Sequence, residues 1–115
     1  IPLDIMIVMP CSGNTLAKLA IGINDNAVTM ACKSTLRNEH NVVLAIATND
    51  ALSNSGKNIM QILNTKHFYL VPMYQDDCIK KPNSMLFDET LVIQTVINAI
   101  NNNQLQPVFE GVKDD

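Results

Sequence analysis

The chain has 115 residues and a mass of 12.7 kDa, close to the size of one domain and too small for two. Apolar residues make up 47% and charged residues 17%, a composition that can form a packed core and that excludes a disordered chain. A net charge of -3, with only 8 scattered Lys and Arg residues, excludes the basic stripe that nucleic acid requires. We therefore expect a single globular unit without a nucleic acid partner.

Targeting signals and cysteine spacing further restrict the class of protein. No apolar run approaches the roughly 20 residues that cross a bilayer, and no stretch has the basic-then-apolar form of a secretion signal. The cysteines at positions 11, 32 and 78 have neither CxxC spacing nor a Cys/His spacing suited to zinc. We expect a cytoplasmic protein with reduced thiols, no membrane partner and no metal.

The first predicted unit is a strand, a tight turn and a helix. An apolar run over residues 4–9 stops at Pro10 and is typical of a strand buried on both faces. A small polar segment, residues 11–15, follows it. The next helix is predicted to face inward with Leu16, Leu19, Ala20 and Ile23.

The rest of the chain continues to alternate helices and strands. Buried strands are predicted at residues 42–47 and 68–71, a loop at 73–84 and a last helix at 91–100. The inward residues expected on the three later helices are Val28, Cys32, Thr35 and Leu36, then Ile59, Ile62 and Leu63, then Val92, Val96 and Ile100. This alternation predicts right-handed βαβ units and an α/β fold with a parallel sheet.

Ligands of open parallel sheets bind beyond the carboxyl ends of the strands, so the loops at 10–15, 48–56 and 72–84 are the candidate sites. In the first loop, Ser12, Gly13, Asn14 and Thr15 lie at a helix N-terminus, whose unpaired N–H groups favour an anion or a polarised carbonyl. The alternative is that Ser12 or Asn14 simply caps the helix.

The other two loops also carry polar side chains. Thr48, Asn49 and Asp50 offer donors and acceptors for the edge of a flat heterocycle, although a solvated turn has the same composition. Lys80 and Lys81 could neutralise an anionic substrate or could simply be solvated.

The remaining reactive residue types have no motif around them. His40 and His67 lack a nucleophile or carboxylate at motif spacing, so we expect both at the surface and assign no catalytic residue. Cys11 stands beside a helix N-terminus, which would lower its thiol pKa, but the alternative of a small buried turn residue is favoured.

The first loop belongs to a longer signature. The run Pro10-Cys11-Ser12-Gly13-Asn14-Thr15-Leu16-Ala17-Lys18, followed by Gly22 and Asp25-Asn26, resembles that of a flavoprotein family. This family includes peptidyl-cysteine decarboxylases, phosphopantothenoylcysteine decarboxylase and flavin prenyltransferase. The resemblance implies a Rossmann-like three-layer parallel sheet that holds FMN at a subunit interface of a homo-oligomer.

Further runs resemble one branch of that family. After the second strand, the decarboxylases carry Pro-x-Met-Asn-x-x-Met-Trp, whereas this chain has Ala47-Thr48-Asn49-Asp50-Ala51-Leu52 and no Trp. The prenyltransferase has an Arg at the position that Thr48 occupies in this chain. The branch comprises flavoprotein subunits of sporulating bacteria that act with a separate pyridine-nucleotide-binding partner, which carries NAD(P). The resemblance implies oxidation of a dihydrodipicolinate-type precursor to dipicolinate in the mother-cell cytoplasm. The runs that carry it include Thr35-Leu36-Arg37-Asn38, Gln75-Asp76-Asp77, Lys80-Lys81-Pro82-Asn83-Ser84 and Leu105-Gln106-Pro107-Val108.

The resemblance also implies roles for the candidate residues. Lys81 and Ser84 would meet a substrate carboxylate. The flavin would contact Ser12, Gly13, Asn14 and Thr15, with Thr48, Asn49 and Asp50 bordering the pocket near the reacting face. A non-catalytic role stabilising the pyridine-nucleotide-binding partner, a decarboxylase-like activity and a prenyltransferase-like activity remain as alternatives.

The length takes on a different meaning beside this family. The chain begins at Ile1 without an initiator Met and has about three clear strands, whereas the sheet of the family has about six. We therefore expect residues 1–115 to be the C-terminal part of a single flavoprotein domain whose N-terminal part is absent from this sequence. The strand at 4–9 would then be a central one with an unpaired edge.

Overall fold

Strand β2 is the centre of the sheet in the computed structural model, which describes residues 5–110. Asp4, the first residue of the first predicted strand, lies outside the described residues. The strands are β1 Ile5–Cys11, β2 Asn41–Thr48, β3 Phe68–Leu70, β4 Met73–Tyr74 and β5 Met85–Phe87. The helices are α1 Gly13–Ile21, α2 Ala27–Arg37, α3 Gly56–Leu63 and α4 Val92–Ile100, the last preceded by a 3₁₀ turn at Glu89–Leu91.

The predicted parallel sheet is confirmed for β1, β2 and β3. β1 pairs parallel with one side of β2, with Ile5 opposite Asn41, and β3 pairs parallel with the other side, with Val42 opposite Phe68. β5 then pairs antiparallel with the end of β2, and β4 pairs antiparallel with β5. The sheet is therefore mixed, with its antiparallel part at the carboxyl end of β2.

The prediction of a continuous loop over residues 73–84 was wrong at its start, and β5 was not predicted at all. Strands β4 and β5 are only two and three residues long, which is too short for an alternation of apolar and polar residues to predict them. They exist because Thr48 and Ala47 at the end of β2 give Met85 and Leu86 a partner. Tertiary pairing, which a local pattern does not contain, creates them.

The two faces of β2 divide the molecule into layers. Leu44 and Ile46 pack on one face with residues of α1, α2 and α3, whereas Val43 and Ala45 pack on the other face beside Ala99 of α4. Every residue from Asn41 to Ile46 is buried. The prediction that this strand is covered on both faces is confirmed.

The same prediction was wrong for β1. Ile5 packs against the core that includes α4, but Ile7 is 43% exposed and Met9 is 55% exposed. Because side chains alternate along a strand, Ile7 lies on the same side of the sheet as Ile5. Met9 lies where the register of β1 shifts, between Val8 and Cys11. Helix α4 contacts β2 and β3, so it leaves this part of β1 uncovered among the described residues.

The helix ends follow from their capping residues. The Asn26 side chain accepts a hydrogen bond from the N–H of Thr29, and the Thr29 hydroxyl accepts from the N–H of Asn26. This reciprocal cap sets the register of α2 so that Thr29 and Cys32 are buried. Val28, expected to face inward, is exposed instead.

Two further inward residues were wrongly predicted. Gly22, with φ of 81°, ends α1 in the left-handed conformation, so Ile23 follows the helix and is exposed. In α4, the buried residues are Thr95 and Ala99, and Ile100 is exposed. A small residue and a β-branched hydroxyl residue at these positions let α4 lie close to the sheet. Leu16, Ile59 and Ile62 are buried as predicted.

The outer edge of β3 is covered by a side chain. The Leu70 N–H donates to Gln104 Oε1 at 2.8 Å, and Gln104 Nε2 donates to the Leu70 carbonyl at 2.6 Å. The amide thus makes the two bonds that a neighbouring strand would make. A bridge between Met73 and Phe109 continues the same edge. An edge covered in this way cannot recruit another strand at Leu70.

A buried asparagine connects the amino ends of β2 and β3. Asn41 Nδ2 donates to the Ala99 carbonyl at 2.6 Å and to Asn102 Oδ1 at 3.0 Å, while Asn41 Oδ1 lies 2.8 Å from His67 Nδ1. An amide oxygen can only accept, so the network assigns the proton to Nδ1 of His67. The expectation that His67 is a surface residue was wrong, because this bond holds the ring half-buried.

We predict that Leu44→Ala lowers the free energy of unfolding by about 3 kcal/mol, because Leu44 is fully buried in the larger core. Urea denaturation followed by circular dichroism measures the loss. Leu52→Ala is the matched control, since Leu52 is 52% exposed, and its effect should stay within about 0.5 kcal/mol. Equal losses in both variants would contradict the described core.

We predict that Gln104→Ala destabilises the protein by about 1–2 kcal/mol, because both edge bonds of Leu70 are lost. Hydrogen exchange measured by NMR should show faster exchange of the Leu70 amide. Gln106→Ala, at an exposed position nearby, should leave that amide unchanged. An unchanged Leu70 exchange rate in Gln104→Ala would show that the side chain does not protect the edge.

Candidate functional site

Two of the polar loops meet at the carboxyl ends of β1 and β2. A Cβ atom added to Gly13 would lie 2.9 Å from Thr48 Oγ1 and 3.2 Å from Ser55 Oγ. The first distance is shorter than real Cβ contacts, so the turn after β1 can approach the loop after β2 this closely because residue 13 is glycine. Asp50 Oδ1 is the next nearest atom, at 3.5 Å.

Ser12 caps helix α1, as the structural alternative for this residue predicted. The Thr15 N–H donates to Ser12 Oγ at 3.2 Å, and the Ser12 hydroxyl donates to Thr15 Oγ1 at 3.3 Å. The side chains of Ser12 and Asn14 are exposed. The first turn of a helix has N–H groups without intrahelical acceptors, so the turn keeps its capacity to bind an anion or a carbonyl.

The loop after β2 is organised around one carboxylate oxygen. The Thr48 hydroxyl donates to Asp50 Oδ1 at 2.6 Å, and the Ser55 hydroxyl donates to the same oxygen at 2.8 Å. These two bonds stabilise the charged form and hold the pKa of the Asp50 carboxyl below its usual value, the Thr48 bond contributing most. The carboxylate is therefore ionised at neutral pH.

Ser55 was not recognised from the sequence. A serine directly before a helix normally suggests a capping side chain, yet Ser55 makes no capping bond to α3. Its hydroxyl is buried and is used by Asp50 instead. The spacing Asp-x-x-x-x-Ser before a helix was the available signal, and it is too common in loops to have been decisive.

A cavity of about 180 Å³ brings together candidates from the second and third loops. Its walls include Thr48, Asn49 and Ser84, with Asp76 as a further polar residue that sequence reasoning missed. The Leu52 N–H donates to the Asn83 carbonyl at 3.0 Å, which joins the two loops beside it. Lys81 is exposed and is not among the residues that line this cavity.

Cys11 and Cys32 are buried thiols. Burial, with a smaller contribution from Cys32, raises the pKa of Cys11 to about 12, and burial raises the pKa of Cys32 to about 11. The lowered pKa considered for Cys11 was wrong, because desolvation outweighs the neighbouring helix N-terminus. The alternative, a small buried residue at the turn, is confirmed.

Part of the signature serves the fold. Lys18 Nζ forms an ion pair with Asp25 at 3.0 Å, across the turn in which Gly22 ends α1. Asn26 then caps α2. These residues orient α1 and α2 relative to each other, while Gly13 and Asn14 remain at the carboxyl edge of the sheet.

A further groove lies at the amino end of β3. It measures about 770 Å³, is wide open, and is lined by residues of the α3–β3 connection and of the segment 104–109, including Lys66, Tyr69 and Gln106. It contains none of the candidate site residues. Across residues 5–110, no cluster of three or more His, Cys, Asp or Glu side chains could hold a metal ion. None of the described helices is long and apolar enough to cross a membrane.

Comparison with known proteins identifies the family of this chain. The model of the family described as Flavoprotein matches residues 2–103. The chain is 46% identical over 109 residues to the B subunit of dipicolinate synthase from Bacillus subtilis (strain 168), covering 95% of this chain and 54% of that protein.

Two solved structures are similar as well. The crystal structure of the dipicolinate synthase B subunit from Bacillus halodurans C superposes with a TM-score of 0.94 at 40% identity, covering 97% of this chain and 57% of that one. An FMN-dependent cysteine decarboxylase, SpaF, superposes with a TM-score of 0.57 at 24% identity, covering 84% of this chain and 52% of that one, and shows the shared Rossmann-like fold alone. The chain spans about half the length of the relatives it matches. On these matches, the chain belongs to the flavoprotein family.

Proposed function

We propose that this protein is the flavoprotein subunit of a dipicolinate synthase. The observation that carries the proposal is the seating of the signature turn at Gly13 against Thr48 and Asp50, in a chain that aligns along 95% of its length with the B subunit of that enzyme. The reaction is the oxidation of a dihydrodipicolinate-type precursor, in which two electrons and two protons leave the ring. The partner is the pyridine-nucleotide-binding A subunit of dipicolinate synthase, and the mother cell of a sporulating bacterium is the proposed location.

The residues at the carboxyl edge fit one side of a flavin. The first turn of α1 offers N–H groups around Gly13 and Asn14, and the wall formed by Thr48 and Asn49 offers a hydroxyl and an amide. The cavity of about 180 Å³ is smaller than the roughly 300–1,000 Å³ of usual ligand pockets, so it fits an edge of the ring system. When bound, FMN supplies the two-electron chemistry.

The residues of this chain bind the flavin and orient it. Ser12, Gly13, Asn14 and Thr15 bind the flavin through the helix N-terminus. Thr48 and Asn49 line the adjoining wall, and Asp50 shapes it by accepting the Thr48 hydroxyl.

A substrate carboxylate is held at the third loop. Ser84 lines the cavity, and Lys81 lies on the exposed turn before it, where the Ser84 N–H donates to the Lys81 carbonyl. Asp76 adds negative charge to the same wall, so a dicarboxylate needs a cation nearby. The flexible side chain of Lys81 is the cation that we propose for this role.

We also propose that residues 1–115 form the C-terminal part of a single flavoprotein domain that works as a homo-oligomer. The supporting observation is the uncovered apolar side of β1, where Ile7 and Met9 are exposed. Ile93, Ile97 and Ile100 form an exposed stripe on α4, the helix on that same side of the sheet. Apolar surface of this kind is covered in the working assembly.

We predict that the protein, at the full length that its gene encodes, purifies yellow with one FMN per chain. It should form dipicolinate in the presence of the pyridine-nucleotide-binding partner and a nicotinamide cofactor. Asn14→Ala should weaken FMN binding about tenfold, because the side chain lies in the first turn of α1. Flavin absorbance and dipicolinate formation are the two measurements.

Asn103→Ala is the matched control, since Asn103 is exposed beyond the end of α4. It should leave both measurements unchanged. A colourless protein that takes up no FMN would overturn the flavin proposal. Full dipicolinate formation by Asn14→Ala, with FMN lost, would identify the chain as a non-catalytic protein that stabilises its pyridine-nucleotide-binding partner.

A further inference from the structure

Asp50 closes the loop after β2 with both its side chain and its backbone. Its Oδ1 accepts the hydroxyls of Thr48 and Ser55, at 2.6 and 2.8 Å. Its backbone carbonyl accepts the N–H groups of Ser53 and Ser55, each at 3.0 Å. Asp50 therefore joins the two ends of the loop from residue 48 to residue 55.

The Thr48 hydroxyl acquires a fixed polarity from this arrangement. An ionised carboxylate can only accept hydrogen bonds, so the hydrogen of the Thr48 hydroxyl is committed to Asp50. Thr48 also lines the cavity that includes Asn49 and Ser84. The Thr48 oxygen also accepts the backbone N–H of Asp50 at 3.4 Å, so to a ligand it can offer its remaining lone pair and no hydrogen.

The same oxygen touches the signature turn. Thr48 Oγ1 is the atom nearest to a Cβ added at Gly13, followed by Ser55 Oγ and Asp50 Oδ1. The three polar atoms thus form the surface on which the turn rests. Movement of Asp50 would alter both the seat of the turn and the direction of the Thr48 hydroxyl.

We propose that Asp50 is a positioning residue, which holds Thr48 Oγ1 as a hydrogen-bond acceptor beneath the Gly13 turn and thereby selects an N–H or O–H donor of the bound ligand. The proposal rests on the proposed function in that FMN is the ligand, and it adds the direction of one hydrogen bond. Asp50 acts through Thr48 in this arrangement and does not itself contact the ligand.

The decisive experiment is an FMN titration of the full-length protein, followed by quenching of flavin fluorescence and by the visible spectrum of the bound flavin. Thr48→Ser keeps the hydroxyl and should bind within about twofold of the wild type, whereas Thr48→Val keeps the shape and should bind about tenfold more weakly. Asp50→Asn should also weaken binding, because the amide can present its NH2 group to Thr48 and turn the hydroxyl hydrogen away, and its oxygen is a weaker acceptor than a carboxylate oxygen. Glu39→Gln, an equal loss of charge at an exposed position before β2, should bind as the wild type does.

The visible spectrum of the bound flavin distinguishes a lost hydrogen bond to the ligand from a general loss of folding. Loss of an acceptor at the ring should shift the visible bands of flavin bound to Thr48→Val, while Thr48→Ser should restore the wild-type spectrum. Wild-type affinity and spectrum in Thr48→Val would overturn the inference and leave the proposed function standing. Failure of the wild type to take up FMN would overturn both.

Stability at two pH values tests the Asp50 contacts without ligand. A carboxyl whose pKa is lowered by folding contributes stability above its unfolded pKa of about 3.9, and this contribution is lost as the pH falls through the folded-state pKa. Asp76, on the cavity wall, is the other titratable group there, and the first turn of α1 and residues 51–56 carry no charge.

In urea denaturation, Asp50→Asn should therefore be less stable than the wild type at pH 7, with a smaller difference at pH 3. Glu39→Gln should show no such change. A difference that is equal at both pH values would show that the carboxylate does not make these bonds as an anion, and would overturn the proposal.

Discussion

The close approach of Gly13 to the loop after β2 is the contact on which the candidate site depends. Without a side chain at residue 13, the start of α1 rests on the oxygens of Thr48, Ser55 and Asp50. This contact places a helix N-terminus, with its unpaired N–H groups, beside a wall of hydroxyl and amide groups. Any larger residue would separate the two loops by pushing them apart, since a Cβ would already lie 2.9 Å from Thr48 Oγ1. A single glycine thus sets the width of the site.

The sheet supports this contact by making β2 a rigid centre. β2 is buried on both faces, with α1, α2 and α3 packed on one and α4 on the other. The two ends of β2 make different contacts. At the amino end, Asn41 joins α4 to β3 through Ala99 and His67. At the carboxyl end, Thr48 begins the loop that the turn rests on, and the antiparallel pairing with β5 draws the third loop to the same edge.

The signature at residues 10–26 combines fold and chemistry in one run. Ser12 caps α1, Gly22 ends it, and the ion pair between Lys18 and Asp25 closes the turn to α2. A sequence run can therefore be specific to a family even though several of its members have ordinary structural roles. Family membership rests on the whole run and on the matches along the chain, whereas the roles of Asn14 and Gly13 in binding flavin are proposals that the geometry supports.

The sequence alone determined the helices, the parallel strands and the positions of the polar loops, because apolar periodicity and capping residues act over a few neighbours. It also placed the chain in its family through the signature. Only the tertiary structure decided that Ile7 and Met9 of β1 are exposed and that β4 and β5 form. It also decided the site's architecture, in which Ser55 joins Asp50 and Thr48 while Lys81 stays outside the cavity. The exposure of β1, the pairing of β4 and β5 and the position of Lys81 depend on contacts between segments far apart in the chain, and no local pattern of residues encodes such contacts. The bonds of Thr48 and Ser55 to Asp50 join residues two and five positions apart, but a short polar sequence does not specify which of its side chains pair.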